Sequence, residues 1–262
     1  MKKHLKIISS FLKLSWLASM EYRANFFSWL LVDTGWAIMD LIFFNTLVQN
    51  LGSLGPWTRG EVFIVVGMFR LLQVPVWAWM FQSFSRIPNM ISKGELDLVL
   101  TKPFDSQFGV SFRNFSINMI ASIITGIFYM YMGYTIMHQI PSSLNIFYLL
   151  WLLTISTGLI YGVYFSTVAT SLFFDRLNNI HHLFPHFYDA ARYPREIYPA
   201  PLQLIFLTIW PMILIIGVPA EALFGRPNWS LIIWLHILTV IFILLGRFIW
   251  TKGLRHYSSA SS

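Results

Sequence analysis

Long continuous runs of apolar residues, separated by short polar segments, make up most of this 262-residue chain. A helix needs about 20 apolar residues to cross a bilayer, and five runs reach that length. They are Phe26–Val48, Val62–Phe81, Phe108–Met137, Leu144–Phe174 and Ser230–Trp250. Because apolar and polar positions do not alternate within the runs, the pattern predicts membrane-spanning helices and not a β-barrel.

A sixth apolar run, Leu202–Val218, lies within a stretch, 185–227, that holds seven of the chain's 12 prolines. Proline kinks or ends a helix, so two topologies are open. In the first, Leu202–Val218 is the fifth span. In the second, residues 201–220 form a re-entrant hairpin on the outer side, and the weakly apolar stretch Leu177–Tyr193 is the fifth crossing. Hydropathy favours the first and the proline spacing favours the second; both give six crossings.

The composition narrows the class of protein. Hydrophobic residues make up 56% of the chain and charged residues only 11%, whereas soluble domains carry about 25% charged residues. Lipid must therefore be the solvent for most of the chain, which excludes a soluble enzyme, a disordered tail and a secreted disulfide scaffold. Cysteine is absent, so disulfides, zinc–thiolate sites and a cysteine nucleophile are excluded too.

The lysines and arginines indicate the orientation, because cytoplasmic loops are enriched in them. With the N-terminus inside and Leu202–Val218 as span five, 15 of the 18 lie on the inner side. In the second topology, Arg192 and Arg195 move outside. Both arrangements predict a multi-pass protein of the cell's inner (plasma) membrane with both termini cytoplasmic. The net charge of +7 thus reflects topology, and we expect no nucleic-acid partner.

The first 24 residues predict a basic amphipathic helix. Its polar side carries Lys2, Lys6, Ser9, Ser10 and Lys13, and its apolar side carries Leu5, Ile8, Phe11, Leu12 and Trp16. A helix of this kind lies in the membrane interface, on the anionic cytoplasmic leaflet.

Three ionisable residues fall within predicted spans. Asp33 and Asp40 are seven residues apart on the first span, hence on one face, and Arg70 lies midway along the second. A charge in hydrocarbon costs at least ~2.5–3.5 kcal/mol, so each of them needs a reason to be there. One interpretation is an Asp40–Arg70 ion pair that fixes the register of the two spans. The other is a central pathway, in which the surplus carboxylate would favour a cationic substrate.

Small residues recur every four positions on the fourth span, at Gly158, Gly162, Ser166 and Thr170. Such a stripe lets a second helix approach closely, so we interpret Gly158 and Gly162 as helix-packing residues. Ser122 and Gly126 form a similar, shorter stripe on the third span.

Enzyme chemistry has no visible motif in this chain. It contains no phosphate-binding loop and neither a Gly-x-Ser-x-Gly elbow nor a His-Glu-x-x-His zinc motif. The histidines at 181, 182 and 186 cluster, but Pro185 interrupts them and no cysteine or glutamate completes a ligand set. We therefore predict no catalytic residue, no metal site and no ATP hydrolysis by this chain.

The polar segment 85–103, between the second and third runs, is more organised than a plain loop. A short amphipathic element precedes Gly94, and charges then alternate with leucines as far as Lys102-Pro103. This pattern suits docking into a groove on another protein, or a loop helix lying on the lipid surface.

Ten residues of this segment carry a family resemblance. Gly94-Glu95-Leu96-Asp97-Leu98-Val99-Leu100-Thr101-Lys102-Pro103 is similar to the G-x-L-D-x-x-L-x-K-P segment of type-2 ABC exporter permeases, in the branch that pairs two related permeases with a separate ATPase. The basic N-terminal helix, the six-span layout and the proline-rich stretch 194–228 resemble the same family. The likeness covers nearly the whole chain.

The resemblance implies an all-α integral membrane protein with a single permease domain, 1–262. Such a subunit forms the substrate pathway of an exporter, of multidrug or antibiotic type, as a homo- or heterodimer, and ABC ATPase subunits bind the ATP and Mg²⁺. Residues Arg86–Lys102 would be the coupling helix against the ATPase. Its contact residues would be Arg86, Lys93, Gly94, Glu95, Asp97 and Lys102. The rival classes are a secondary transporter and a non-transporting membrane scaffold.

Overall fold

The computed structural model describes residues 2–21, 23–138, 140–174 and 180–257, and every regular element in these ranges is helical. The α-helices are α1 Lys2–Glu21, α2 Arg23–Leu51, α3 Arg59–Pro75, α4 Phe81–Phe84, α5 Ile87–Ser92, α6 Asp97–Leu100, α7 Ser106–Ser111, α8 Ile120–Met137, α9 Ser143–Ala169, α10 Leu183–Tyr188, α11 Ala200–Thr208, α12 Leu214–Leu223 and α13 Trp229–His256. A π-helical turn, Val76–Met80, joins α3 to α4.

Among the described residues, five helical stretches are long and apolar enough to cross a membrane. They are Arg23–Leu51, Arg59–Ser92, Ile120–Met137, Ser143–Leu172 and Trp229–His256. These correspond to the five long apolar runs, so the prediction of an all-helical membrane protein is confirmed. The stretch that contains α3 lies at the centre of the bundle, because 61% of its apolar window is buried against 11% for α2.

The third span is shorter than its apolar run predicts. The run begins at Phe108, but the spanning helix α8 begins at Ile120, after a non-helical stretch, 112–119. The polar groups of that stretch bind the end of the preceding span: the Ser116 amide donates to the Ala78 carbonyl (2.7 Å) and Ser83 Oγ donates to the Asn114 carbonyl (3.0 Å). Backbone groups outside a helix can lie near lipid only if other parts of the protein satisfy their hydrogen bonds. These tertiary hydrogen bonds do so for the stretch 112–119.

Glycines bring α3 and α8 into backbone contact. A Cβ added to Gly67 would lie 2.6 Å from the carbonyl oxygen of Gly126, and one added to Gly133 would lie 2.5 Å from that of Gly60. Real Cβ atoms do not approach a carbonyl oxygen so closely, so only glycine fits at these crossings. In lipid the hydrophobic effect does not drive helices together, so close van der Waals packing of this kind stabilises their association instead.

The fourth and last spans pack through a second small-residue contact. A Cβ on Gly162 would lie 2.8 Å from the backbone nitrogen of Ile243, and one on Gly158 would lie 3.1 Å from Thr239 Cγ2. The stripe on α9 therefore faces α13.

The sixth apolar run does not form one helix. It is divided between α11 and α12, and residues 209–213 between them are not α-helical. The residues before α11 and the last turn of α12 lie side by side, because Arg195 Nη2 is 3.7 Å from Glu221 Oε1. The chain therefore enters and leaves this pair of helices at the same end, as a hairpin does.

Candidate functional site

A buried ion network links α2, α3 and α8. The Arg70 side chain is only 2% exposed; its Nη1 lies 2.7 Å from Asp33 Oδ1, and its Nε lies 3.6 Å from Asp40 Oδ2. The two aspartates lie two turns apart on α2, and the guanidinium lies between them. Sequence reasoning paired Arg70 with Asp40, whereas the shorter contact is to Asp33.

The Asp33 carboxylate is fully engaged. Ser122 Oγ on α8 donates to Asp33 Oδ2 at 2.7 Å, and Arg70 Nη2 donates to the Asp33 carbonyl at 3.2 Å. Arg70 Nη1 also reaches Gln73 Oε1 at 3.3 Å. A buried ion pair offsets its desolvation cost best when further hydrogen bonds satisfy the remaining polar atoms. Both carboxylate oxygens of Asp33 and both terminal nitrogens of Arg70 have such partners, whereas Arg70 Nε has no hydrogen-bond acceptor among the described residues.

Two residues that the sequence analysis did not assign to the network extend it. Arg192 Nη1 lies 3.4 Å from Asp40 Oδ1, and Arg192 Nη2 lies 3.4 Å from Asp189 Oδ1. The Arg192 guanidinium also lies over the ring of Phe69, 5.6 Å from its centroid. The network therefore holds three carboxylates and two guanidinium groups. The i, i+3 spacing of Asp189 and Arg192 within an apolar stretch is the signal that could have found them.

The stretch 180–193 runs antiparallel to the second span: it begins beside α4, passes α3 and ends near the loop that precedes α3. The His181 ring lies 6.1 Å from that of Phe81, and the Tyr188 ring stacks on Phe69 at 5.0 Å. Pro194 then lies beside Gly55, where an added Cβ would be 3.2 Å from its side chain. The chain thus passes from the end of the bundle near α4 to the loop 52–58 at the opposite end.

At the α4 end, the segment 85–103 folds into α5 and α6 around Gly94. The φ of Gly94 is +70°, in the left-handed region that favours glycine. The Gly94 and Leu96 amides donate to the carbonyls of Ile91 (3.2 Å) and Met90 (3.1 Å), which turns the chain back after α5. This tight turn makes the segment a compact structure.

One face of this segment is buried and the other is exposed. The buried side chains include Ile87, Met90, Leu96 and Val99, each at most 5% exposed. The exposed face carries Arg86, Lys93, Glu95, Leu98 and Lys102. Within the described part of the chain, none of its four charged residues forms an ion pair, and Leu98 is 63% exposed.

Asp97 lies apart from that exposed face, near the end of α13. Burial, together with the neighbouring Asp97 carboxylate, raises the pKa of the Tyr257 phenol, which directly follows α13. The exposed charges of the segment are thus those of Arg86, Lys93, Glu95 and Lys102, while Asp97 faces its own bundle.

An ion pair joins Asp105, two residues after this segment, to α13. Asp105 caps α7 by accepting from the Phe108 amide (3.0 Å), and its Oδ2 lies 2.7 Å from Arg247 Nη2. Partial burial acts to raise the pKa of Asp105, but the hydrogen bonds from Arg247 and the Phe108 amide outweigh it and lower the pKa below its usual range.

The histidine cluster lies within the stretch 180–193. His181 is buried against Phe81, and its ring centroid lies 4.0 Å from that of His182. Within residues 2–21, 23–138, 140–174 and 180–257, no group of three or more His, Asp or Glu side chains is placed to hold a metal ion.

These features define a polytopic helical membrane protein with a charge network inside the bundle and a folded polar segment at one end. The sequence model described as ABC-2 family transporter protein matches residues 34–261, and the chain belongs to this family. It is therefore a permease component of an ABC transporter, a membrane subunit that associates with ABC ATPase partners. Comparison with curated proteins and with solved structures found no match.

Proposed function

We propose that this permease works as an exporter subunit, driven by ATP hydrolysis in separate ATPase subunits that dock on the segment 85–103. The observation that carries the proposal is the two-faced structure of this segment. Its apolar face is fixed to the bundle, while its charged face and Leu98 have no partner among the described residues. Charged rims around an apolar contact give specificity in recognition between proteins.

We place the segment 85–103 and both termini in the cytoplasm, and the loop 52–58 outside. The positive-inside rule supports this orientation. The path of 180–193 along α3, from Phe81 to Gly55, supports the second topology, in which this stretch is the fifth of six crossings. The helices α11 and α12 then form a re-entrant hairpin on the outer side, and Arg195 lies outside.

Packing around α5 gives the segment a route to the spans. The helix α5 contacts the last turn of the fourth span, Thr170–Leu172. It also directly follows α4, which ends the second span. Closure of the ATPases would push α5 against both spans at once. Since packed helices have discrete arrangements and do not deform continuously, such a push shifts the population between inward- and outward-facing states.

The substrate pathway is expected at the interface of a permease dimer. Six crossings in one subunit hardly enclose a large pathway, so we propose a second permease subunit, identical or related as in the paired-permease branch. Nucleotide and Mg²⁺ would be bound by the ATPases alone, and this chain would supply no catalytic group or cofactor.

Co-purification with the cognate ATPase tests the docking surface. We expect Glu95→Lys combined with Leu98→Glu to reduce the amount of ATPase recovered and to abolish ATP turnover that depends on the permease. Asn50→Lys, an equally exposed charge change at the end of α2 next to the loop 52–58, is the matched control and should leave both unchanged. Normal recovery with normal turnover in the double variant would refute docking at this segment.

A further inference from the structure

A groove separates α1 from the non-helical stretch 112–119. Its volume is about 380 Å³, within the ~300–1,000 Å³ range of small-molecule sites. The groove is lined by Leu12, Lys13, Ser15, Trp16, Ala78, Phe115, Ser116 and Ile117.

The groove lies near the cytoplasmic end of the second span in the orientation proposed above. Ala78 is six residues from the last residue of α4, Phe84, which is about 9 Å at the rise of an α-helix. Ala78, in the π-helical turn Val76–Met80, also lines the groove, and its carbonyl accepts from the Ser116 amide. Single π-helical turns are frequent at functional sites.

The lining is amphipathic. Side chains of Leu12, Trp16, Phe115 and Ile117 make most of it apolar, Ser15 and Ser116 add hydroxyl groups, and Lys13 adds a cation. Arg113, two residues before Phe115, is exposed. Neither Lys13 nor Arg113 forms an ion pair with a described residue.

We propose that this groove binds one anionic phospholipid of the cytoplasmic leaflet, with an acyl chain along Trp16 and Phe115 and the phosphate at Lys13. The charge of Lys13 selects the headgroup, because a basic residue at an anionic leaflet attracts its lipids. The apolar wall selects the chain, because burying methylene groups is favourable. The site rests on the proposed orientation of α1, but not on the docking of an ATPase.

A lipid in this position has a structural consequence. It fills the space between α1 and 112–119, which a long hydrogen bond from the Phe115 amide to Ser15 Oγ (3.4 Å) bridges. Ligands that bind only the folded protein stabilise it. An anionic lipid should therefore raise the unfolding temperature of the purified permease.

Native mass spectrometry of the detergent-purified chain, without ATPase, tests the site. The probes are phosphatidylglycerol and phosphatidylcholine with identical acyl chains. We expect one tightly retained phosphatidylglycerol, and we expect Lys13→Gln to weaken its retention about fivefold, the effect of one basic residue at an anionic surface. Lys252→Gln, at an exposed lysine on the last span, should leave retention unchanged.

Ser116→Trp provides a second variant, because an indole at this position fills the groove and should abolish retention of the lipid. Equal retention of the two lipids by the wild-type protein would overturn the proposal. So would unchanged phosphatidylglycerol binding in Lys13→Gln, whatever the result for Ser116→Trp, since Lys13 is exposed and its replacement leaves the fold intact.

Discussion

Arg70 donates a 2.7 Å hydrogen bond to Asp33, and this contact joins the first two spans at a buried position. The pair belongs to a larger network. Ser122 donates a hydrogen bond to the Asp33 carboxylate, and Arg192 forms an ion pair with Asp40. Removing one partner of a buried pair leaves the other charge uncompensated, which costs more than the intact pair contributes.

Asp33→Asn is expected to destabilise the permease by about 3–5 kcal/mol, because the carboxylate that remains near Arg70 is then that of Asp40, at the longer distance of 3.6 Å. Ser122→Ala removes one hydrogen bond to the same carboxylate and should cost about 1.5–3 kcal/mol. Thermal unfolding in detergent measures both. A stability of Asp33→Asn equal to that of the wild type would show that the network is not structural at this position.

Asp40→Asn separates the structural from the pathway interpretation. A structural Asp40 predicts a lower yield of folded protein, since both Arg70 and Arg192 lose a carboxylate. A pathway Asp40 predicts normal yield with impaired export. Yield after purification and transport by the reconstituted complex are the two measurements, and wild-type values for both would exclude the two interpretations together.

Coupling between Asp40 and Arg192 can be measured by a double-mutant cycle. Asp40→Asn and Arg192→Gln should be non-additive by about 0.5–3 kcal/mol, as for residues in one ionic network. Additive effects on the unfolding free energy would mean that the 3.4 Å contact contributes nothing.

Gly94→Ala should weaken coupling to the ATPase. An L-residue in the left-handed region costs about 1–2 kcal/mol, so the turn after α5 should reopen and displace the exposed face. Gly225 has a similar φ of +72° outside the segment, which makes Gly225→Ala the matched control. Similar losses of stability are expected in both variants, but a loss of ATPase recovery only in Gly94→Ala.

Gly67→Leu should prevent the packing of α3 against α8, because even a Cβ would collide with the Gly126 carbonyl. A Cβ added to Gly35 on α2 meets no atom within 4 Å, so Gly35→Leu should be tolerated. Yield and monodispersity after purification distinguish the two, and equal behaviour would contradict the close helix crossing.

The Asp105–Arg247 pair predicts a pH dependence. A lowered pKa in the folded state means that Asp105 stabilises the protein above the pKa of the unfolded state, near 3.9, and that this contribution disappears as the pH falls through the lower folded value. Arg247→Gln should therefore be less stable than the wild type at pH 7, and the difference should close on acidification below about pH 4. A constant difference between pH 7 and pH 3 would contradict the assignment.

The five long spans were predictable because lipid requires continuous apolar runs, and these are visible in the sequence alone. The start of α8 was not, since Phe108 and Val110 are as apolar as a span residue while the break at 112–119 depends on hydrogen bonds to Ala78 and Ser83. Such contacts are set by the tertiary structure and leave no trace in a hydropathy average.

Three residues of the candidate site were predictable from the sequence, but the residues that contact them were less so. Asp33, Asp40 and Arg70 stand out because ionisable residues are rare in spans. Arg192 does not stand out, because the proline-rich stretch around it gave two competing topologies. Gly60, Gly67 and Gly133 were missed for a different reason: close contact depends on which helix lies opposite, and spacing within one helix does not reveal it.

The path of 180–193 beside α3 also constrains biogenesis. This stretch carries Asp189, Arg192 and three histidines, a poor signal for insertion by hydrophobicity alone. Arg192 pairs with Asp189 within the stretch, and also with Asp40 of α2 and the Phe69 ring of α3. If this stretch is the fifth crossing, as proposed above, α2 and α3 should therefore already be in the bilayer when it enters. Synthesis from the N-terminus delivers the helices in that order, so in this topology the α2–α3 hairpin would assist the insertion of the polar stretch that follows it.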